Sequence, residues 1–378
     1  MKHRIILLLC VLIVLAGLAF RTFLPQAFPY PELKVFSQAY MLILTKFVDP
    51  VKDEALLTGA DRGLMNALDP FSFIVPAARM KAFHAYLEGR KDLDCGVELR
   101  RGGRFIYAMR ITPGSPADGT LKPGDIIEVV DGLTYPQADA WEMQNALSGT
   151  LGSSIKIRYT PREQEKSLET TLVLKPYPAP RTVVRDIEGV PMAVIPHFKD
   201  DPVRALKDGL RGSKERDLLF VDLRGNDSFD YSQALAIAAL FTKESPAIVF
   251  KTRKGDRKES ASGQGLIPAK ELWVVTDRDT TGAGEILAAL LKKYAKARIL
   301  GRATFGYTGL QSVVPMSDGG ACYLTTTIAG LPEAESLMHK GVQPDLVVKE
   351  TGTSDQEGGA IDKKIRDLIH EKTQKKAA

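Results

Sequence analysis

Two short stretches hold the residues whose types and spacing could do chemistry. Residues 303–311 read Ala-Thr-Phe-Gly-Tyr-Thr-Gly-Leu-Gln, a glycine-bearing turn after an apolar strand. Such a turn can present a general base, yet this one carries no lysine, histidine or carboxylate, and its polar candidate is Tyr307. Residues 280–285 read Thr-Thr-Gly-Ala-Gly-Glu at the head of a helix, where free amides and the helix dipole favour a developing negative charge. A hydroxyl there, with a base to take its proton, would be an acyl-transfer nucleophile. Thr281 offers a hydroxyl, but between Leu300 and Ser317 the basic side chain present is Arg302, which stays protonated. His84, His197 and His339 lie far apart in the chain and give a Ser/His/Asp grouping no nucleus.

The elements that must position these stretches alternate in type. Leu-Leu-Phe-Val-Asp-Leu reads as a buried strand, Tyr-Ser-Gln-Ala-Leu-Ala-Ile as a helix, and Ile286, Leu287, Leu290, Leu291 and Tyr294 form the apolar stripe of a second helix. Residues 177–350 are therefore expected to be an α/β core with buried strands. Residues 91–176 change to short strands and turns, a β-rich module closed by the proline-rich joint Lys-Pro-Tyr-Pro-Ala-Pro-Arg. Residues 25–90 read as a helical unit, with Leu33, Phe36, Tyr40, Leu42 and Phe47 on one stripe, a second helix from Lys52 to Ala67, and a third after a turn at Asp69-Pro70. Residues 351–378 are expected to be a flexible or helical tail. Residues 1–24 place Lys2, His3 and Arg4 before an apolar run from Ile5 to Phe20, the pattern of an export signal or an inner-membrane anchor. Either places the rest of the chain outside the cytoplasm, in the periplasm or cell envelope.

A chain of 378 residues exceeds a single core, and 44% hydrophobic with 26% charged residues is an ordinary globular composition. The formal net charge of +5 is spread among acids, without a basic stripe or stacking aromatics, so nucleic acid is not an expected partner. The three cysteines form no Cys-x-x-Cys or Cys/His cluster, so no zinc or other cofactor is expected. Cys95 and Cys322 are compatible with a disulfide in an oxidising compartment or with two free, buried thiols.

Several ordered motifs together resemble the carboxyl-terminal processing peptidases, also called tail-specific proteases, over nearly the whole chain. Leu-Asp-Pro-Phe-Ser from Leu68 is similar to the family's Leu-Asp-Pro-His-Ser, and Gly-Ser-Pro-Ala-Asp-Gly-Thr-Leu-Lys-Pro-Gly-Asp to its PDZ segment. Val-Asp-Leu-Arg-Gly-Asn and Gly-Val-Gln-Pro-Asp resemble its Asp-Leu-Arg-x-Asn loop and its closing Gly-Val-x-Pro-Asp. The resemblance implies a helical N-terminal unit, a PDZ-like β-barrel module and a ClpP/crotonase-like α/β domain. It also implies an exported serine peptidase whose PDZ module captures a substrate's carboxyl terminus.

Residue by residue, the family's chemistry does not carry over. Its serine, in Ser-Ala-Ser-Ala-Ser-Glu, falls on Gly282 when Glu285 is matched to the glutamate. Its lysine, in Thr-Phe-Gly-Lys, falls on Tyr307, with Gln311 at the position that supports the base. Burial lowers a lysine's pKa toward neutrality but raises a tyrosine's, so Tyr307 stays protonated. The family's Asn-Pro-Gly-Gly oxyanion loop is here Asn226, Asp227, Ser228 and Phe229. The expectation is a catalytically inactive member; the alternative is an active endopeptidase using Thr281. The PDZ-like module keeps Gly96, Val97, Glu98 and Leu99 where the resemblance places the carboxylate-binding loop and a peptide-pairing strand. Expected partners are protein carboxyl termini, an extracytoplasmic partner protein or an active paralogue.

Overall fold

A computed structural model describes residues 30–89, 93–135, 137–162, 164–211, 216–349 and 354–377. The chain divides into two compact units, Met1–Leu64 and Met65–Ala378. In the first lie α1 (Pro31–Lys46) and most of α2 (Asp53–Asn66). Pro31 suits the first turn of α1, where its missing N–H has no intrahelical acceptor. No side chain of α1 is buried, so Leu33, Phe36, Leu42 and Phe47 remain exposed. The stretch expected as signal or anchor, residues 5–20, lies outside the described residues. Among the described residues no helix is long and apolar enough to cross a membrane.

The second unit begins at Met65, within α2. β1 (Phe73–Val75) pairs antiparallel with residues 321–323, far along the chain, and draws the segment around it into this unit. A 3-10 turn at Ala77–Arg79 leads into α3 (Met80–Leu87). The β-rich module follows as β2 (Leu93–Asp94), β3 (Val97–Gly102), β4 (Phe105–Ile111), β5 (Ile126–Val130), β6 (Leu133–Thr134), α4 (Ala140–Ala146), β7 (Ser148–Gly149), β8 (Ser154–Thr160) and β9 (Leu168–Val173). Its sheet runs β3-β4-β5-β8-β9, with β6 on β5 and a separate β2–β7 pair. The expected barrel is not closed among the described residues, since β3 and β9 stand at opposite ends of this order. Ile155, Ile157 and Tyr159 of β8 point into the core while Lys156 and Arg158 point out, the alternation a half-buried strand requires.

The α/β core is β10 (Val183–Ile187), β11 (Val190–Val194), α5 (Pro202–Gly209), β12 (Arg216–Asp222), α6 (Tyr231–Phe241), β13 (Ala247–Thr252), β14 (Gly255–Ser260), β15 (Ala269–Thr276), α7 (Ala283–Tyr294), β16 (Arg298–Gly301), β17 (Gly309–Pro315), β18 (Ala321–Gly330), β19 (Leu346–Val347) and α8 (Ser354–Ala377). The main sheet runs β10-β11-β12-β15-β16-β19 and is parallel from β11 onward. A parallel sheet needs both faces covered. Helices α5 to α7 cover one, and Ile361, Ile365, Leu368 and Ile369 of α8 pack on Phe220, Trp273 and Leu300 of the other. The expected tail is thus a packed helix whose apolar residues recur at helical spacing. An antiparallel sheet, β1-β18-β13-β14 with β17 on β18, lies beside it in sequence and supplies the strand that follows Tyr307. The loops after β12, β15 and β16 leave the carboxyl ends of parallel strands, where α/β folds form their crevices.

Candidate active-site cleft

Hydrogen bonds lock those three loops together. Thr281 N donates to Asn226 O at 2.8 Å, Ala283 N to Ser228 O at 2.6 Å, and Gly282 N to Tyr307 O at 2.9 Å. Gly282 is the N-cap of α7, with φ +63° and ψ −122°, a backbone conformation that side chains rarely tolerate. It has no hydroxyl and no room for one: a Cβ would lie 2.6 Å from Ser228 O and 3.0 Å from the Phe229 ring. In strand-turn-helix hydrolases the amide after the nucleophile holds the oxyanion. Here the corresponding amide, Ala283 N, already holds the Ser228 carbonyl. Asn226 is fully buried, its carboxamide donating to Ile195 O at 2.9 Å and accepting from Ser228 N at 3.1 Å. Thr281 is also fully buried, and its hydroxyl donates to the Asp279 carbonyl at 3.1 Å.

Tyr307 is 2% exposed and fills the space across from Gly282. Its ring stacks on Phe71 at 3.8 Å between centroids and meets Phe229 edge-on at 6.3 Å. Phe305 packs edge-on against Phe71, and the Arg100 guanidinium lies 4.4 Å from the Phe305 ring centre. Burial pushes the Tyr307 hydroxyl well above the ordinary tyrosine range, so it remains an O–H. The ring is buried as its position implies, but the hydroxyl does not reach the head of α7. It pairs with Thr325 Oγ1 at 2.6 Å and accepts from Gln311 Nε2, because the turn aims it toward β17 and β18. Gly309 makes this possible, since a Cβ there would meet the hydroxyl at 2.5 Å. The Asp69 carboxylate accepts from Phe71 N and Ser72 N at 2.8 Å each, so the turn at Asp69-Pro70 presents Phe71 to Tyr307. Phe71, Phe229, Arg100, Gly309 and Thr325 had no catalytic signature in the sequence. The aromatic residues at the two loop motifs were the available signal.

Glu285 ties the helix head to the turn. Its carboxylate accepts from Gly282 N at 3.2 Å, Gly306 N at 2.7 Å, Tyr307 N at 2.8 Å and the Thr304 hydroxyl. The structure therefore brings Thr281, Gly282, Tyr307 and Gln311 into one cleft. Gly96, Val97, Glu98 and Leu99 belong to the β-rich module. Gly96, at φ +77°, lets Ser115 approach, for a Cβ there would lie 2.1 Å from the Ser115 Cβ. The space that glycine opens is filled by the chain itself. Val97 and Leu99 face the module's core while Glu98 faces the cleft side.

Glu98 connects the module to the cleft loop. Arg110 of β4 bonds Glu98 at 2.8 Å, Asp227 at 3.2 Å and the Gly225 carbonyl at 3.0 Å. Burial, then the Asp227 charge, pushes Glu98 up to about 8. Burial, then Asp277, pushes Asp279 up to about 7, and Glu285 rises to about 7 because burial outweighs its donors. Each carboxyl holds its proton more tightly folded than unfolded, so the stability it contributes is complete below its ordinary value, 3.8 for Asp279 and 4.5 for the two glutamates, and is lost as pH rises through its folded value. Glu98→Gln removes one of these titrations without changing shape. With its side chain 34% exposed, the effect is screened: the drop in thermal midpoint between pH 5.5 and 8.5 should shrink by about 2–4 °C. An unchanged drop would show that Glu98 is not titrating in this window.

Comparison with known proteins agrees with this architecture. Residues 193–348 match the model of peptidase family S41. The chain is 28% identical over 325 residues to the carboxy-terminal processing protease CtpB of Bacillus subtilis (strain 168), covering 83% of this chain and 67% of that protein. It is 24% identical over 331 residues to the carboxy-terminal-processing protease of Bartonella bacilliformis, covering 85% and 76%. The solved photosystem II D1 C-terminal processing protease shares the fold, with TM-score 0.65 at 21% identity over 82% of this chain and 85% of that one. Residues 193–348 thus carry the α/β fold of peptidase family S41, and the chain is similar to carboxyl-terminal processing proteases over more than four fifths of its length.

Proposed function

We propose that this chain has lost peptide hydrolysis and acts by binding: a pseudopeptidase that engages protein carboxyl termini or a partner protein through residues 91–176, read as a PDZ-like domain. The observation that carries the reading is the head of α7. Gly282 brings no oxygen, Phe229 and the Ser228 carbonyl fill the space of a side chain, and Ser228 also occupies the amide that would hold an oxyanion. Nucleophile, base and oxyanion donor act as a unit, so losing all of them removes far more than losing one. β3 supports the binding half, because it is the end strand of its sheet and end strands accept extended peptides. The basic-then-apolar start of the sequence supports an extracytoplasmic location. An active relative of the same family is the expected kind of regulated partner.

The test is incubation of the purified chain with an unfolded, dye-labelled protein ending in apolar residues. No cleavage above buffer is expected. Turnover that Thr281→Val abolishes would overturn this reading, although the buried Thr281 hydroxyl and its bond to Asp279 give such turnover no structural support.

A further inference from the structure

The outward-facing backbone groups of β3 are those a peptide would pair with under the binding reading, and they are already occupied. Leu99 N donates to Gln144 Oε1 at 2.6 Å, and Gln144 Nε2 donates to Val97 O at 2.9 Å. One side-chain carboxamide thus reproduces the donor and acceptor that a neighbouring strand would offer. Gln144 projects from α4, which packs beside β3, and is 7% exposed. A buried amide is costly unless paired, and this one is paired at both ends with the strand edge. The loop before β3 repeats the pattern. Gly96 N donates to Asp94 Oδ1 at 2.7 Å, so a carboxylate of this chain holds the amide that would meet a ligand's terminal carboxylate. The Tyr177 hydroxyl donates to that same Asp94 oxygen.

We infer that Gln144 is a built-in occupant of the β3 edge, and that an extended chain end enters only when this carboxamide withdraws. The inference rests on the peptide-binding reading and narrows it: the ligand is a polypeptide with a free carboxyl terminus, and Gln144 sets its affinity. Gln144→Ala exposes Leu99 N and Val97 O. Gln144→Glu keeps the volume but cannot donate to Val97 O, and it serves if the alanine variant folds poorly.

The experiment titrates the full chain, parent and variants, against an array of ten-residue peptides that end in each amino acid with a free carboxylate. Amidated copies serve as controls. Freeing two hydrogen-bonding groups predicts binding tighter by about 10–100-fold in Gln144→Ala, with Gln144→Glu between it and the parent. Hydrogen exchange at Leu99 N should accelerate in both variants. Equal binding by parent and variants would overturn the inference while leaving the peptide-binding reading intact. Absence of binding to any peptide by all of them would overturn both.

Discussion

Gly282→Ser, the change that returns a hydroxyl to the head of α7, is expected to destabilise the protein by about 2–4 kcal/mol and to produce no turnover, even when combined with Tyr307→Lys. Strain is one source of the cost, because φ +63° with ψ −122° suits glycine. Crowding is the other, with Ser228 O at 2.6 Å and the Phe229 ring at 3.0 Å from the new Cβ. The backbone carbonyl cannot leave without breaking its bond to Ala283 N, whereas a ring can be truncated. Phe229→Ala should therefore offset part of the penalty, giving a coupling of about 1–2 kcal/mol in a double-mutant cycle measured by denaturant unfolding. Additive effects would show that Phe229 does not obstruct the site. Cleavage by the Gly282→Ser/Tyr307→Lys protein with Phe229 still present would sink the account of a cleft closed by packing. The distinction bears on function: a peptidase missing only its reactive groups could be repaired by restoring them, whereas this cleft has been filled around their absence.

Much of this cleft was legible because its parts sit at the ends of strongly patterned elements. The stripe from Ile286 to Tyr294 placed α7, and with it Gly282, while Thr304 to Gly306 and Gln311 placed Tyr307. Burial of the tyrosine followed from its position, and Gln311 does support it. The direction of the hydroxyl was not legible. It depends on Gly309 and on Thr325, which approaches through a strand pairing that local periodicity does not encode. Phe71 likewise reaches Tyr307 from a segment over 200 residues away, brought there when β1 joins β18. The α8 stripe, Ile361, Ile365 and Leu368, was present in the sequence but diluted by lysines and aspartates, so a helix that completes the core read as a tail. At β3 Val97 and Leu99 face the module's core and Glu98 faces away, as a strand's alternation requires, but Gln144, 45 residues from Leu99, shows no local sign that it closes the edge.

Glu285→Ala is expected to cost about 3–5 kcal/mol, comparable with removing a large core side chain. The carboxylate is fully buried and accepts from Gly282 N, Gly306 N, Tyr307 N and the Thr304 hydroxyl; Gly282 N keeps its bond to Tyr307 O, but alanine removes the acceptor of Gly306 N, Tyr307 N and the Thr304 hydroxyl and leaves a cavity. Glu285→Gln keeps the volume and one acceptor oxygen and should lose about 1–2 kcal/mol. Because the folded carboxyl sits near 7, wild-type stability from this group is complete below pH ~4.5 and declines through neutrality, so the gap between wild type and the glutamine variant should narrow at alkaline pH. Amide exchange at Gly306 and Tyr307 locates the damage, since both should lose protection in the alanine variant before the main sheet does. A loss below about 1 kcal/mol, or exchange that is unchanged at these amides, would refute the claim that Glu285 holds the turn against the helix. If the claim stands, the glutamate is architectural: it supports the wall of aromatic rings around Tyr307 where a reactive pair would otherwise be aligned.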